Sequence, residues 1–176
     1  MLPMLAPAAA AQQMVNPDGE RLKAFQDRLQ QYVDLQHKAE GQLSSLGKTD
    51  EPAKTEAHRK ALADAIRRAR PDARQGDIFG DAGEQLRLII KQDAHNRSTR
   101  DALAAMKEVQ KMKPRVNAEY PEQAALATVP PLILQRLQQL PDGMEYRFMG
   151  RDLILRDVKA NLIIDFVHEA VPTVRR

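Results

Sequence analysis

The sequence predicts an α+β protein, mostly α, with a helical amino-terminal half and, at the end, a helix packed on a three-stranded antiparallel meander. Three observations predict it. Apolar residues recur at alternating three- and four-residue spacing from Leu22, two more amphipathic stretches follow, and after Gly143 the apolar period falls from about 3.6 to about 2. The 176 residues are 43% apolar, enough to build a core and to exclude a wholly disordered chain. Length alone admits one compact domain, or a helical arm plus a small domain. Without cysteine there is no disulfide framework, thiolate nucleophile or zinc finger.

Residues 1–15 open with MLPMLAPAAAAQQ, which carries no charged side chain and places Ala9, Ala10 and Ala11 where a signal peptidase prefers small residues. This predicts a signal-peptide remnant, or otherwise a disordered Ala/Pro tail, and hence export, with a cytoplasmic location as the alternative. No other run approaches the ~18 apolar residues of a membrane span.

Residues 16–74 read as a helical hairpin. Leu22, Phe25, Leu29, Tyr32, Gln36, Ala39, Leu43 and Leu46 form a heptad-like seam with one polar member. Asn16 and Asp18 offer N-cap oxygens, and Gly47 offers a stop. The second helix presents Ala57, Ala61, Leu62, Ala65, Ile66 and Ala69, a face small enough for close antiparallel packing. The same seam would serve an intermolecular coiled coil, in which Gln36 fixes register; in the hairpin, Gln36 sits where water reaches it.

The net charge of +3 is concentrated at residues 54–74. Arg59, Lys60, Arg67, Arg68, Arg70 and Arg74 form a basic stretch suited to phosphates or an acidic partner. Glu56 and Asp64, each four residues before a basic side chain, answer part of that charge. No aromatic side chain interleaves it to stack on bases, so a solvated helix face is the plainer reading.

Residues 75–120 form a helical middle. Leu86, Leu88, Ile89, Ile90 and Ala94 mark one helix; Ala102, Leu103, Ala105, Met106, Val109 and Met112 mark another, with both methionines as core filling. The loop Gln75 to Asp81 has two carboxylates and two glycines but lacks the ligand spacing of a calcium loop. Asp77 or Asp81 reads as a helix cap, and Ile78-Phe79 as an apolar plug between the arm and the tail.

Residues 121–176 form the tail. Pro130-Pro131 opens a helix with Ile133, Leu134, Leu137 and Leu140 on its apolar face, and Pro141-Asp142-Gly143 ends it. A two-residue turn at Gly150-Arg151 sets Met149 opposite Asp152, Phe148 opposite Leu153, Tyr146 opposite Leu155 and Glu145 opposite Arg156. Val158 to Asn161 then returns residues 162–167 as a third strand, with Leu155 opposite Ile164 and Leu153 opposite Phe166. The outer face then carries Arg147, Ile154, Arg156 and Asp165 with Glu145 and Asp152, a surface charge ladder.

The run from Pro130 to Val167 resembles the carboxyl-terminal part of uncharacterised exported bacterial proteins with a helical amino-terminal half. The resemblance spans about residues 129–171, and Tyr146-Arg147-Phe148, Gly150 to Leu153 and Ala160 to Ile163 carry it. It implies the tail module and export; no activity, cofactor or catalytic residue comes with it.

No catalytic constellation stands out. His37, His58, His95 and His168 lie far apart without an HExxH spacing, and no GxSxG elbow or Walker glycine pattern occurs. The sequence therefore favours a non-enzymatic exported scaffold or protein-binding module of the bacterial periplasm, without cofactor. It would act through its helical arm on another protein or on a second copy as a homodimer. The alternatives are a small hydrolase using Asp165 and His168 between arm and tail, and weak nucleic-acid or acidic-partner binding through the basic stretch.

Overall fold

The computed structural model describes residues 16–45, 51–94, 113–121 and 127–172. The leading segment, Gly47, Met106, Met112 and the helix expected over 98–112 lie outside the described residues. The architecture is α+β: α1 (Pro17–Gly41), α2 (Pro52–Ala69), α3 (Ala82–Asp93), a two-residue β1 (Ala127–Thr128), the single turn α4 (Pro131–Leu134), then β2 (Met144–Met149), β3 (Asp152–Asp157) and β4 (Leu162–Val167). No described helix is long and apolar enough to cross a membrane.

α1 begins as its sequence dictates. Asn16 accepts the Asp18 N–H at 3.1 Å, and Pro17 occupies the first turn, where its missing N–H costs nothing. The seam is buried at Phe25, Leu29, Tyr32, Gln36 and Ala39, with Val33 beside it. α2 buries Leu62, Ala63, Ala65 and Ile66, and α3 buries Ala82, Leu86 and Ile90.

The helix expected from Pro130 to Leu140 is only α4. Leu132 and Leu134 face solvent, so the segment has no continuous apolar stripe to hold a longer helix on the sheet. Arg136 is drawn to α3 instead, where it meets Asp93 at 2.7 Å and Gln92 at 2.9 Å. The inner face of the sheet is covered by α1, α3 and the loop between α2 and α3. Phe79 stacks between Phe25 (5.4 Å) and Tyr146 (6.4 Å), the plug expected of Ile78-Phe79. One apolar cluster therefore runs from Phe25 to Val171 through helices, loop and sheet.

The sheet order is β1-β2-β3-β4. The β2–β3 register is as the alternation predicts: Met149↔Asp152, Phe148↔Leu153, Tyr146↔Leu155 and Glu145↔Arg156. Gly150 has φ +59° while Arg151 stays at negative φ, the pattern of a II′ turn. Gly150→Val is expected to destabilise the protein by more than ~1 kcal/mol, read from the urea midpoint, because a β-branched side chain strains that conformation.

The β3–β4 register departs from expectation. Arg156↔Ile163 holds, but Leu155 lies opposite Asp165 and Leu153 opposite Val167, with the shift falling between Leu155 and Arg156. The extra residue in β4 makes a β-bulge, which exchanges the faces of the residues beyond it. Asp165 turns inward, and Phe166 joins Tyr120, Met149, Ile154 and Ile163 on the outer face. Residues 117–120 close the β4 edge: Asn117 N–H donates to the Ile163 carbonyl at 2.8 Å, and Ile163 N–H donates to that of Ala118 at 2.9 Å.

The outer charge ladder is shorter than expected, because Asp165 has left it and Asp152 faces a histidine. Glu145 accepts from Arg147 at 2.6 Å and from Arg156 at 2.8 Å. Arg156 also reaches Asn161 Oδ1 at 2.5 Å and lies 4.6 Å from the Tyr120 ring centroid. Exchanging the charges as Arg156→Glu with Glu145→Arg should therefore recover only part of the stability lost in Arg156→Glu alone, because the Asn161 and Tyr120 contacts are not rebuilt. Burial pushes the Glu145 carboxyl up, but the two arginines outweigh it and hold it below its usual range. Its contribution is thus present above its unfolded pKa and lost as pH falls through the folded value, a slope Glu145→Gln should abolish.

Candidate functional site

The helical arm is not a free-standing hairpin. Tyr32 donates its hydroxyl to Asp157 Oδ2 at 2.7 Å, and Gln36 donates its amide to the same oxygen at 2.6 Å. The other oxygen of Asp157 accepts the Ala160 N–H at 3.0 Å, inside the β3–β4 connection. Gln36 is buried, and its partner is the sheet; it is neither a solvated gap nor a register residue facing a second chain. Burial, reinforced by Asp157, pushes the Tyr32 phenol far up, so it stays a hydrogen-bond donor at any ordinary pH.

The remaining exposed side of the arm carries a groove of about 540 Å³. Asp34, Leu35, Lys38, Ala39 and Gln42 form one wall, and Ala65 and Ala69 of α2 form the other. The gap follows from composition: alanines at the contact leave space that larger side chains would have filled. Leu35 is half-buried in the groove; Asp34 and Lys38 put opposite charges on its rim.

The six basic residues do not share one face. Arg59 and Lys60 both pair with Glu56, at 2.7 and 3.4 Å. Arg67 binds Asp64 at 2.8 Å and the Asn117 carbonyl at 3.0 Å. Arg70 turns inward, 5.2 Å from the Tyr32 ring centroid, and donates to the Ile164 carbonyl at 3.2 Å. Burial lowers its pKa, as expected of a guanidinium taken from water. Arg74 has its backbone N–H on Asp77 at 2.7 Å, and Arg68 is exposed at the end of α2.

Asp165, expected on the surface, is fully buried. Its Oδ1 accepts the N–H groups of Gly76 and Phe166, both at 2.7 Å, and its Oδ2 those of Ile78 (2.9 Å) and Phe79 (2.8 Å). The loop that supplies three of these donors turns at Gly76 (φ +88°) and Gly80 (φ +48°). Such a run of inward N–H groups is an anion nest, filled here by the protein's own carboxylate. Arg28 locks the loop from α1, donating to the carbonyls of Ile78 (2.8 Å) and Phe79 (3.2 Å), and its guanidinium lies where a Cβ on residue 80 would stand. Asp77 accepts from the loop backbone, whereas Asp81 stands at the N-cap of α3 without a side-chain bond.

The structure does not bring Asp165 and His168 together. His168 instead has its Nδ1 2.9 Å from Asp152 Oδ1, a carboxylate the sequence placed in the charge ladder. The signals that could have found the nest are the glycines at 76 and 80 and an aspartate inside an otherwise apolar strand. Compared with known protein families, curated proteins and solved structures, the chain matches none.

Proposed function

We propose that this protein is a non-enzymatic protein-binding module whose helical arm receives an amphipathic helix of a different protein in the α1–α2 groove. The observation that carries this reading is the groove itself, about 540 Å³ between Leu35, Ala39, Ala65 and Ala69. That volume lies within the usual range of binding clefts, and small side chains on two adjacent helices suit the apolar knobs of a third. A second copy is a poorer occupant. Among the described residues the large exposed apolar side chains are Leu88, Leu132, Leu134 and Val158, none of them on α1 or α2, so the arm has no knob of its own to offer. Association through those distant side chains would be head-to-tail rather than a closed dimer.

Export to a bacterial periplasm belongs to the same proposal. It rests on the leading segment MLPMLAPAAAAQQ and on the resemblance of the tail to exported proteins.

The test uses an amphipathic helical peptide with leucines at i, i+4 and i+7, titrated into the methyl-labelled chain. Saturable shifts at Leu35, Ala39, Ala65 and Ala69 are expected, lost in Ala69→Arg, an exposed position where arginine blocks the groove without disturbing the core. Shifts scattered over the surface, or concentration-dependent self-association in sedimentation without the peptide, would sink the reading.

A further inference from the structure

Between β2 and the segment that follows α4 lies a cavity of about 340 Å³. Leu134 and Leu140 line it from the segment, Met144 and Tyr146 from the strand, and it shares no residue with the α1–α2 groove. Both walls are held from behind. Ile133 and Leu137 are buried in the core, Arg136 is tied to Asp93 of α3, and Gln26 of α1 donates to Gln138 Oε1 at 2.9 Å. On the other side, β2 is paired with β3 along its whole length, and the Tyr146 ring lies 6.4 Å from that of Phe79. A cavity framed in this way is preformed.

Two groups that border it gain little from the fold. Leu134 is 40% exposed, one of the large apolar side chains that the described residues leave uncovered. Tyr146 is only 7% exposed, yet its hydroxyl makes no hydrogen bond among the described residues. A buried hydroxyl without a partner costs stability that phenylalanine at the same place would not. Burial alone pushes the phenol pKa up, so the oxygen keeps its proton and offers it as a donor. Glu145 and Arg147 also border the cavity, but as the strand neighbours of Tyr146 they belong to the outer face, where Arg147 donates to Glu145 at 2.6 Å. The Arg147 Nε, buried and likewise without a partner, is on that face and is not a second donor to the same point.

We propose that this cavity binds a small, uncharged, largely apolar molecule with one hydrogen-bond acceptor, such as a ketone or ester carbonyl. The acceptor takes the Tyr146 O–H, and the hydrocarbon part covers Leu134 against Leu140 and Met144. An anion is the poorer ligand, because the hydroxyl is a single neutral donor and the Arg147 charge is already answered by Glu145. The volume is at the lower end of binding clefts, room for one ring with a short side chain.

The test titrates acetophenone into the full chain, methyl-labelled at leucine and methionine, and compares α-methylstyrene, the same shape with a methylene in place of the carbonyl oxygen. Saturable shifts at Leu134, Leu140 and Met144 are expected, with Leu35 of the groove unmoved. Acetophenone should bind roughly tenfold tighter than α-methylstyrene. Tyr146→Phe should erase that advantage while leaving the binding of α-methylstyrene unchanged. Without ligand, the urea midpoint of this variant should equal or exceed that of wild type, since no hydrogen bond of the fold is lost. Leu134→Gln, at an exposed position, should weaken both probes alike. Equal affinity of the two probes, shifts without saturation, or a carbonyl preference that survives Tyr146→Phe would overturn the proposal. So would a Tyr146→Phe variant less stable than wild type, because the hydroxyl would then already have a partner.

Discussion

Asp165→Ala is expected to destabilise the protein by about 4–6 kcal/mol, the largest effect of any single polar substitution in the fold. The carboxylate accepts four backbone N–H groups, and those of Ile78 and Phe79 are buried. Each buried donor left unpaired costs about 1–3 kcal/mol, and the substitution also removes the anchor that holds the loop before α3. Asp165→Asn keeps one accepting oxygen but turns its own N–H₂ against two donors, so its loss should be smaller yet still measurable. Burial pushes the Asp165 carboxyl above its usual range, even though the four N–H groups pull it down. A raised folded pKa means that the stabilisation is fully present below the unfolded value and declines as pH rises through the folded one. The gap between wild type and Asp165→Asn should therefore narrow as pH rises from the ordinary aspartate range toward neutrality. Urea midpoints across that range check both statements; an alanine variant within ~1 kcal/mol of wild type would show that apolar burial alone holds the loop.

Phe79→Ala should cost about 3–5 kcal/mol, the range for emptying a large aromatic site in a packed core. Phe79 is almost fully buried, and its ring lies nearly parallel to that of Phe25 and close to Tyr146. It is thus the contact through which α1 and β2 share one core. Its loss should lower amide-exchange protection in α1 and in β2–β4 by similar amounts, because both unfold in one cooperative step. If α1 lost protection while the sheet retained it, the arm and tail would be independent units, and the shared cluster from Phe25 to Val171 would not act as one core.

Local rules made the elements of this fold legible. Asn16 and Pro17 mark the start of α1, the three-four spacing marks its buried stripe, and Gly150 marks the hairpin whose register follows from alternation. Glu145 and Arg156 meet as that alternation requires. The candidate site was only partly readable. The alanines of α2 could be seen as a small-residue face, but not the groove they leave beside Leu35. His168 could be noticed as a titratable group, but the carboxylate it meets is Asp152 and not the Asp165 of the hydrolase alternative.

By itself the sequence determined the fold class, the stripes on the helices and the pairing of β2 with β3, because each depends on neighbours within about ten residues along the chain. The tertiary structure decided what the stripes pack against. The seam of α1 looks the same whether it meets α2, a second chain or a sheet; what turns Tyr32 and Gln36 to Asp157 is a carboxylate more than a hundred residues away that needs buried donors. Likewise, apolar alternation leaves a strand such as Leu162–Val167 free to bulge, since Ile164, Asp165 and Phe166 offer no local preference strong enough to forbid it. The donors at Gly76, Ile78 and Phe79 settle the matter, because only the bulged register delivers Asp165 to them.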